Sequence, residues 1–266
     1  EFSILNPVVG QYIRNPSVEG PVGDMTPPTF WNTDETWSDP NLEEEYTTMS
    51  GSKTYKAVDG NIFLLFRARG ENYGASNHPP ETREYLYQQL AQPLESNTCF
   101  RFDVHIAFNS DYYVFDTEDP NVGYPLKFTL YGGNAPNSRD LLLIESEAIT
   151  NEEWMQYTFY FNTDEISYSY ILIEGAWDTI NVKPAPYNGM LLIDNLDLQD
   201  LGPLDTINEH TLYYRGDGET QLTAANGLSF SWSPDYNLFP PDDQLPLMLD
   251  YHDFYKVYID LGEEYA

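Results

Sequence analysis

The run Cys99-Phe100-Arg101-Phe102-Asp103-Val104-His105-Ile106-Ala107-Phe108 decides the class of fold. Phe100, Phe102, Val104 and Ile106 fall on one side, and Arg101, Asp103 and His105 on the other. Successive side chains of a strand point to opposite faces, so this two-residue period predicts a strand with one buried face. The pattern recurs outward from it. Trp154–Phe161 places Tyr157, Phe159 and Phe161 together, and Leu126–Tyr131 alternates until Gly132-Gly133. Ile62–Arg67 follows an Asp59-Gly60-Asn61 turn, and Tyr85–Leu90, Leu141–Ile144, Tyr168–Glu174 and Met190–Leu198 complete the series. Glu81–Leu90 is the best helical candidate, but its tyrosines suit a strand better. The sequence therefore reads as all-β.

The chain has 266 residues, with 12 Lys and Arg against 43 Asp and Glu, a formal net charge of −31. A surface for nucleic-acid phosphates or anionic lipid needs clustered cations, so neither partner fits. Hydrophobic residues are 41% and aromatics 15%, ample material for a core, so the acidity does not mean disorder. The single cysteine, Cys99, excludes an internal disulfide. No apolar run approaches the ~20 residues of a membrane-spanning helix, which argues against membrane insertion. No signal peptide is visible at Glu1-Phe2-Ser3, so the chain reads as mature or as beginning internally. No Asn stands in a glycosylation sequon, which favours a bacterial source over a eukaryotic secreted one.

Three stretches read as long loops: Pro21–Tyr46, Arg69–Pro80 and Asp111–Pro125. Loops of that length are functional or held by something. Glu43-Glu44-Glu45 reads as a solvated charge run. A boundary is expected near Gly202-Pro203, giving a domain over 1–202 and a smaller one over 203–266. The second carries its own short strands at Leu212–Arg215, Thr220–Ala224, Ser229–Trp232 and Phe254–Leu261.

Five landmarks occur in order across residues 13 to 198. They are Asn15-Pro16-Ser17-Val18-Glu19, Asp59-Gly60-Asn61-Ile62-Phe63-Leu64, Gln88-Gln89-Leu90 with Asn97–Phe102, Trp154–Phe159, and Leu192-Ile193-Asp194-Asn195-Leu196. Together they resemble the galactose-binding-like jelly rolls that include many carbohydrate-binding modules. The subtype resembles modules of Bacteroidota cell-surface, gliding-motility-associated proteins secreted by the type IX system. There a jelly roll is commonly followed by Ig-like or PKD-like repeats. Gly216–Ala224, Ser229–Pro234 and Phe254–Ile259 are similar to such a repeat, with Asn226-Gly227 in place of its Gly-Gly. The implied architecture is a jelly-roll β-sandwich followed by a small Ig-like or PKD-like β-sandwich.

The resemblance also implies a structural calcium. In the similar modules an acid of the first strand and one of the closing strand meet at a sandwich edge, joined by main-chain carbonyls. Glu19 and Asp194 match those positions, with Asp59 and Asn61 as further candidates. Calcium takes six to eight hard oxygen ligands, which carboxylates and carbonyls supply. In a chain this acidic, the alternative is that Glu19 and Asp194 are ordinary surface acids.

Sugar sites on such sandwiches stack flat rings on sugar faces beside hydrogen-bonding groups. Trp37, Tyr73 and Trp177 are the candidate rings, Trp37 and Trp177 being flanked by polar residues. Trp31 reads as a plug beneath its loop, and Trp154 and Trp232 as structural. Arg67, Arg69 and Arg83 stand out among so few cations. Arg67 is the candidate ligand contact, with pairing to nearby acids as the alternative for all three. Net charge favours neutral sugars over polyanions, unless calcium bridges.

Enzymatic signals are lacking. The histidines, at 78, 105, 210 and 252, have no metal-ligand spacing. No nucleophile elbow, P-loop or dinucleotide fingerprint occurs. Glu174 alone stands beside a strongly apolar strand end, too little for a two-carboxylate hydrolase. Arg215-Gly216-Asp217 spells an integrin motif, but the Ig-like pattern accounts for it. The expectation is a non-enzymatic, secreted or cell-surface adhesion module that binds a glycan or polysaccharide and carries a structural calcium. Surface or secretion-system proteins are further candidate partners. The alternative is a spacer or cargo segment of a large surface protein without sugar binding.

Overall fold

The computed structural model describes residues 11–23, 27–34, 41–48, 50–70, 82–112 and 123–203, with the backbone of strands at 209–213, 229–234 and 254–260. The strands are β1 (Asn41–Glu43), β2 (Glu45–Thr47), β3 (Thr54–Lys56), β4 (Phe63–Arg69), β5 (Thr82–Arg83), β6 (Tyr85–Leu94), β7 (Thr98–Phe108), β8 (Leu126–Gly133), β9 (Leu141–Glu145), β10 (Met155–Asn162), β11 (Tyr168–Trp177), β12 (Gly189–Pro203), β13 (Glu209–Tyr213), β14 (Ser229–Pro234) and β15 (Phe254–Asp260). The protein is all-β, as the alternation predicts. Among the described residues no helix is long and apolar enough to cross a membrane.

Residues 8–200 form one compact unit. Two antiparallel sheets make a β-sandwich, one ordered β1-β4-β12-β7-β10 with β5 on β4, the other β6-β11-β8-β9. The predicted alternation fills the space between them. Phe100, Phe102, Val104 and Ile106 of β7 meet Phe128 and Leu130 of β8 and Ile171 and Ile173 of β11, all buried. Phe102 stacks on Phe128 at 5.9 Å, and Phe128 on Phe159 at 6.1 Å, which ties β7, β8 and β10 across the core. Burying each such ring stabilises the fold by about 1.5–3 kcal/mol.

A second apolar layer lies on the other face of the larger sheet. Phe63 and Leu65 of β4, Ala107 of β7, and Met190 and Leu192 of β12 are buried with Tyr55 of β3 and Tyr112. Trp154 packs edge-on against Phe63 at 5.6 Å and donates its indole N–H to Lys56 O at 2.8 Å. The β2–β3 hairpin and Trp154 therefore close that face. This is why β4 reads as a continuous apolar run rather than an alternating one.

The first landmark is not a strand. Asn15 and Val18 take positive φ values of 57° and 49°, and Val18 N donates to Asn15 O at 3.2 Å, closing a turn. The Asn15 side chain substitutes for a ladder: its Oδ1 accepts from Glu19 N, and its Nδ2 donates to Glu19 O and Thr29 O. The Pro21–Tyr46 stretch is more ordered than a loop. It contains β1, and Gly23 and Asn32 pair with Leu42 and Tyr87. Trp31 is the expected plug, buried with its indole N–H directed at Asn15 O. Glu44 and Glu45 are exposed, as expected of a charge run.

A separate unit takes in residues 201–266. Its described strands form a three-stranded antiparallel sheet, ordered β13-β15-β14. The expected strand at Thr220–Ala224, the Gly216–Ala224 and Asn226-Gly227 motifs, and Arg215-Gly216-Asp217 lie outside the described residues.

Limited proteolysis is expected to cut first between Gly202 and Ile207, leaving a resistant fragment that contains residues 8–200, identifiable by mass spectrometry. First cuts within 85–200 would show that the sandwich is not an independent folding unit.

Candidate functional site

Pairing registers build a tyrosine-rich surface on the outer face of the β6-β11-β8-β9 sheet. Residues directly opposite in adjacent strands share a face. Tyr85 stands beside Glu174, which stands beside Thr129; in the next row Tyr87, Leu172 and Tyr131 adjoin; in the third, Gln89, Tyr170 and Gly133 do. Tyr85, Tyr87 and Leu172 are buried, with Tyr131 and Tyr170 partly buried against them. Gln89 is exposed. Asn32 exchanges main-chain hydrogen bonds with Tyr87 at 2.8 and 2.9 Å, extending the sheet edge. The Tyr87 hydroxyl donates to Asp34 at 2.8 Å. Burial, then that hydrogen bond to a carboxylate, pushes its pKa up to about 12, so it stays a donor at physiological pH.

Glu174 lies at the centre of this face and is 1% exposed. Arg139, from the β8–β9 connection, donates Nη2 and Nε to its Oε2 at 2.7 and 3.0 Å. Arg83 Nη1 lies 2.6 Å from Oε1 as an ion pair, without an aligned hydrogen bond. The same guanidiniums cover rings. Arg139 lies 4.7 Å from the centre of Tyr85 and 5.9 Å from that of Tyr131, and Arg83 lies 5.4 Å from that of Trp177. Asn137 adds an amide, donating to the Tyr85 hydroxyl at 3.0 Å. The face thus combines aromatic rings, cationic donors and amides, the set that holds a polar ligand with apolar C–H faces.

A second cluster forms at the sandwich edge. Asp194 is fully buried, its Oδ2 accepting from Val58 N at 2.6 Å and Asp59 N at 3.0 Å, and its Oδ1 from Asn195 N at 2.7 Å. Glu19 Oε1 accepts from Asn61 N and Ile62 N at 2.6 and 3.2 Å. Both carboxylates therefore grip one turn, Val58–Ile62, from two sides. Gly60 in that turn has φ +69°, which favours glycine, and a Cβ there would fall 2.0 Å from Glu19 Oε1 and displace that carboxylate. Desolvation, opposed by the amide donors and helped by neighbouring Asp59, pushes the Asp194 carboxyl up to about 6.

The carboxylate oxygens of Glu19 and Asp194 are hard ligands, and among the described ion pairs Asp194 has no cationic partner. Both features suit calcium. Among the described residues no three acidic, His or Cys side chains converge on one point. Main-chain carbonyls would have to complete a coordination shell.

Of the rings singled out from sequence, Trp37 and Tyr73 lie outside the described residues. Trp177 is half-buried rather than exposed. It packs on the core edge, donates Nε1–H to Tyr187 O at 2.7 Å, and carries the Arg83 guanidinium on its ring. Arg67 and Arg69 turn to the fully buried Glu84, at 3.7 and 3.2 Å, the acid-pairing alternative. Arg83 pairs too, but on the tyrosine face. Glu19 and Asp194 both meet the turn that contains Asp59, without the three carboxylates converging on one point. Sequence reading missed Tyr85, Tyr87, Tyr131, Tyr170 and Arg139. Tyr85-Leu86-Tyr87 carried part of the signal, as tyrosines alternating around an apolar residue; Tyr168 and Tyr170 do not share a face, because a register shift between them turns Tyr168 into the core.

No known protein family's sequence profile matches this chain, and no curated protein matches it. Solved structures with a similar course include a Stig cyclase from Fischerella sp. TAU, 17% identical over 73% of this chain and 98% of that one, TM-score 0.44. The K3 cleaved adhesin domain of Lys-gingipain from Porphyromonas gingivalis is 13% identical over 73% and 99%, TM-score 0.39. A family 16 carbohydrate-binding module is 13% identical over 53% and 79%, TM-score 0.30. Likenesses of this order carry no argument about what the chain binds.

Asp194 sets a pH dependence whose sign follows from its burial. Its folded pKa lies above the ordinary carboxyl value of 3.8, so its contribution to stability is complete below about pH 4 and is lost as pH rises through about 6. In EDTA, wild type should lose up to about 3 kcal/mol across that interval relative to Asp194→Asn, measured by urea denaturation at each pH. Parallel pH profiles for the two proteins would show that Asp194 does not titrate there.

Proposed function

We propose that this chain is a non-enzymatic binding module, secreted or on the cell surface, that takes a glycan on the outer face of the four-stranded sheet. The observation that carries this reading is the convergence of Tyr85, Tyr87, Tyr131 and Tyr170 with Arg83, Arg139 and Gln89 on one face. Sugars offer apolar C–H faces and many hydroxyls, and need rings and polar groups together. The central acid supports binding over hydrolysis. Glu174 is engaged by two guanidiniums, whereas a glycosidase acid needs an apolar pocket and a second carboxylate across the scissile bond.

The edge cluster belongs to the same proposal as a calcium site, with Glu19, Asp194 and Asp59 supplying side-chain oxygens. Bound there, the ion would neutralise a buried carboxylate and brace the turn that enters β4. It would play no chemical part in ligand binding.

The spacer or cargo reading draws on the burial of Tyr85 and Tyr87 and on a further contact. The Tyr85, Tyr131 and Trp177 rings already carry guanidiniums. In a spacer those contacts would be purely structural.

Glycan-array screening followed by calorimetry on the best ligand separates the readings. Tyr131→Ala, at a half-buried ring, should weaken binding by about 1–3 kcal/mol while leaving near-UV circular dichroism intact. No binding to any glycan by the wild type would establish the spacer reading instead.

For the metal, the melting temperature should rise in calcium over EDTA, and this rise should vanish in Glu19→Gln and Asp194→Asn. A wild-type melting temperature indifferent to calcium would remove the ion from the proposal.

A further inference from the structure

We infer that the tyrosine face selects a carboxylate-bearing sugar, a uronic-acid unit, through Arg83 and Arg139, with Glu174 as the residue that positions both guanidiniums. The inference rests on the reading of this face as a glycan site and departs from the neutral ligand that net charge suggests. It begins with a local imbalance. The molecule carries −31 overall, yet at the centre of this face two guanidiniums share one carboxylate, leaving an unmatched positive charge. At the contact itself the imbalance stands, since among the described ion pairs neither guanidinium meets a second carboxylate; Lys127 and Glu145 pair with each other at 2.6 Å, and Asp34 keeps its negative charge on the Tyr87 hydroxyl.

The geometry suits an anion that arrives with an apolar body. Glu174 is 1% exposed, while the Arg83 and Arg139 side chains are 38% and 33% exposed, so the acid lies beneath and the cations reach outward. Each guanidinium is fixed from below by Glu174 and from the side by an aromatic ring, which limits the rotamer entropy lost on binding. Arg139 directs Nε and Nη2 to Glu174 and Nη1 to Asn137 Oδ1. Arg83 uses only Nη1 on Glu174, so its remaining N–H groups can meet a ligand carboxylate. A uronate has a C–H face for the partly exposed Tyr131 and Tyr170 and a planar carboxylate for a guanidinium fork. Overall repulsion does not override this, because exposed charges more than ~8 Å apart are largely screened at physiological salt.

The test compares trigalacturonic acid with its fully methyl-esterified form, which keeps the sugar faces and removes the charges, by calorimetry at fixed ionic strength with the full chain. The acid should bind at least about ten-fold tighter than the ester, consistent with one charge-assisted hydrogen bond. Its affinity should fall as sodium chloride is added. In Arg139→Gln and Arg83→Gln the preference should collapse to within about three-fold, the size left to neutral contacts. Melting temperatures report folding, and one folded Arg variant suffices. Glu174→Gln should also lose the preference although it adds a net positive charge. A gain in acid affinity there would show that bulk charge, not positioning, governs binding. Equal affinity for acid and ester, or a preference that requires added calcium, overturns the inference and leaves the glycan reading standing. Failure to bind these or any other glycan overturns that reading itself.

Discussion

A carboxylate removed from water must be given cations or N–H donors, and the main polar features of this sandwich follow from that requirement. The chain has 43 acids, most of them free to stay in solvent. Glu84, Glu174 and Asp194 are buried to 1% exposure or less. Left alone, each would cost several kcal/mol. Glu84 is met by Arg67 and Arg69 where the chain leaves β5 for β6 and passes from one sheet to the other. Glu174 is met by Arg83 and Arg139 at the centre of the second sheet. Asp194 is met by three main-chain amides at the sandwich edge. Four of the 12 cations thus serve two buried acids, and their placement reflects burial rather than overall charge balance.

The Asp194 arrangement depends on a local change of phase in β12. Leu191 and Ile193 face the core, then Leu196 and Leu198 do, so the inward set moves from odd to even positions. The shift occurs at Asp194-Asn195, where Asn195 takes φ +51°. An extra residue in a strand re-aims its neighbours in this way. It turns Asp194 onto the Val58–Ile62 turn, and it sets Asn195 Nδ2 3.3 Å from His105 Nδ1 on the next strand. Glu19 reaches the same turn from the opposite side only because Asn15 and Val18 fold the first segment into a tight turn.

The two sheets differ in what lies outside them, and this locates the candidate site. The β2–β3 hairpin and Trp154 close the larger sheet with an apolar layer. The smaller sheet's outer layer is tyrosine, arginine and amide. Tyrosine suits that position because its ring packs against Leu172 while its hydroxyl meets Asp34, Asn137 or solvent.

Local pattern alone determined the all-β class, the strands that alternate, and the inward-facing phenylalanines, because a two-residue period dictates which side chains share a face. Glu19, Asp59 and Asp194 were singled out by the resemblance to jelly-roll modules and not by any period in the sequence. Local pattern could not reveal β1–β3, whose short segments lack a period, nor that Asn15–Glu19 is a turn, because only packing forces Val18 into a left-handed conformation. Tyr85, Tyr131 and Glu174 are separated by dozens of residues and become neighbours only through strand register. Which acid receives which arginine was likewise open in the sequence. With 43 acids, linear proximity says little, and the tertiary structure decides because only a carboxylate buried in the fold needs a fixed partner.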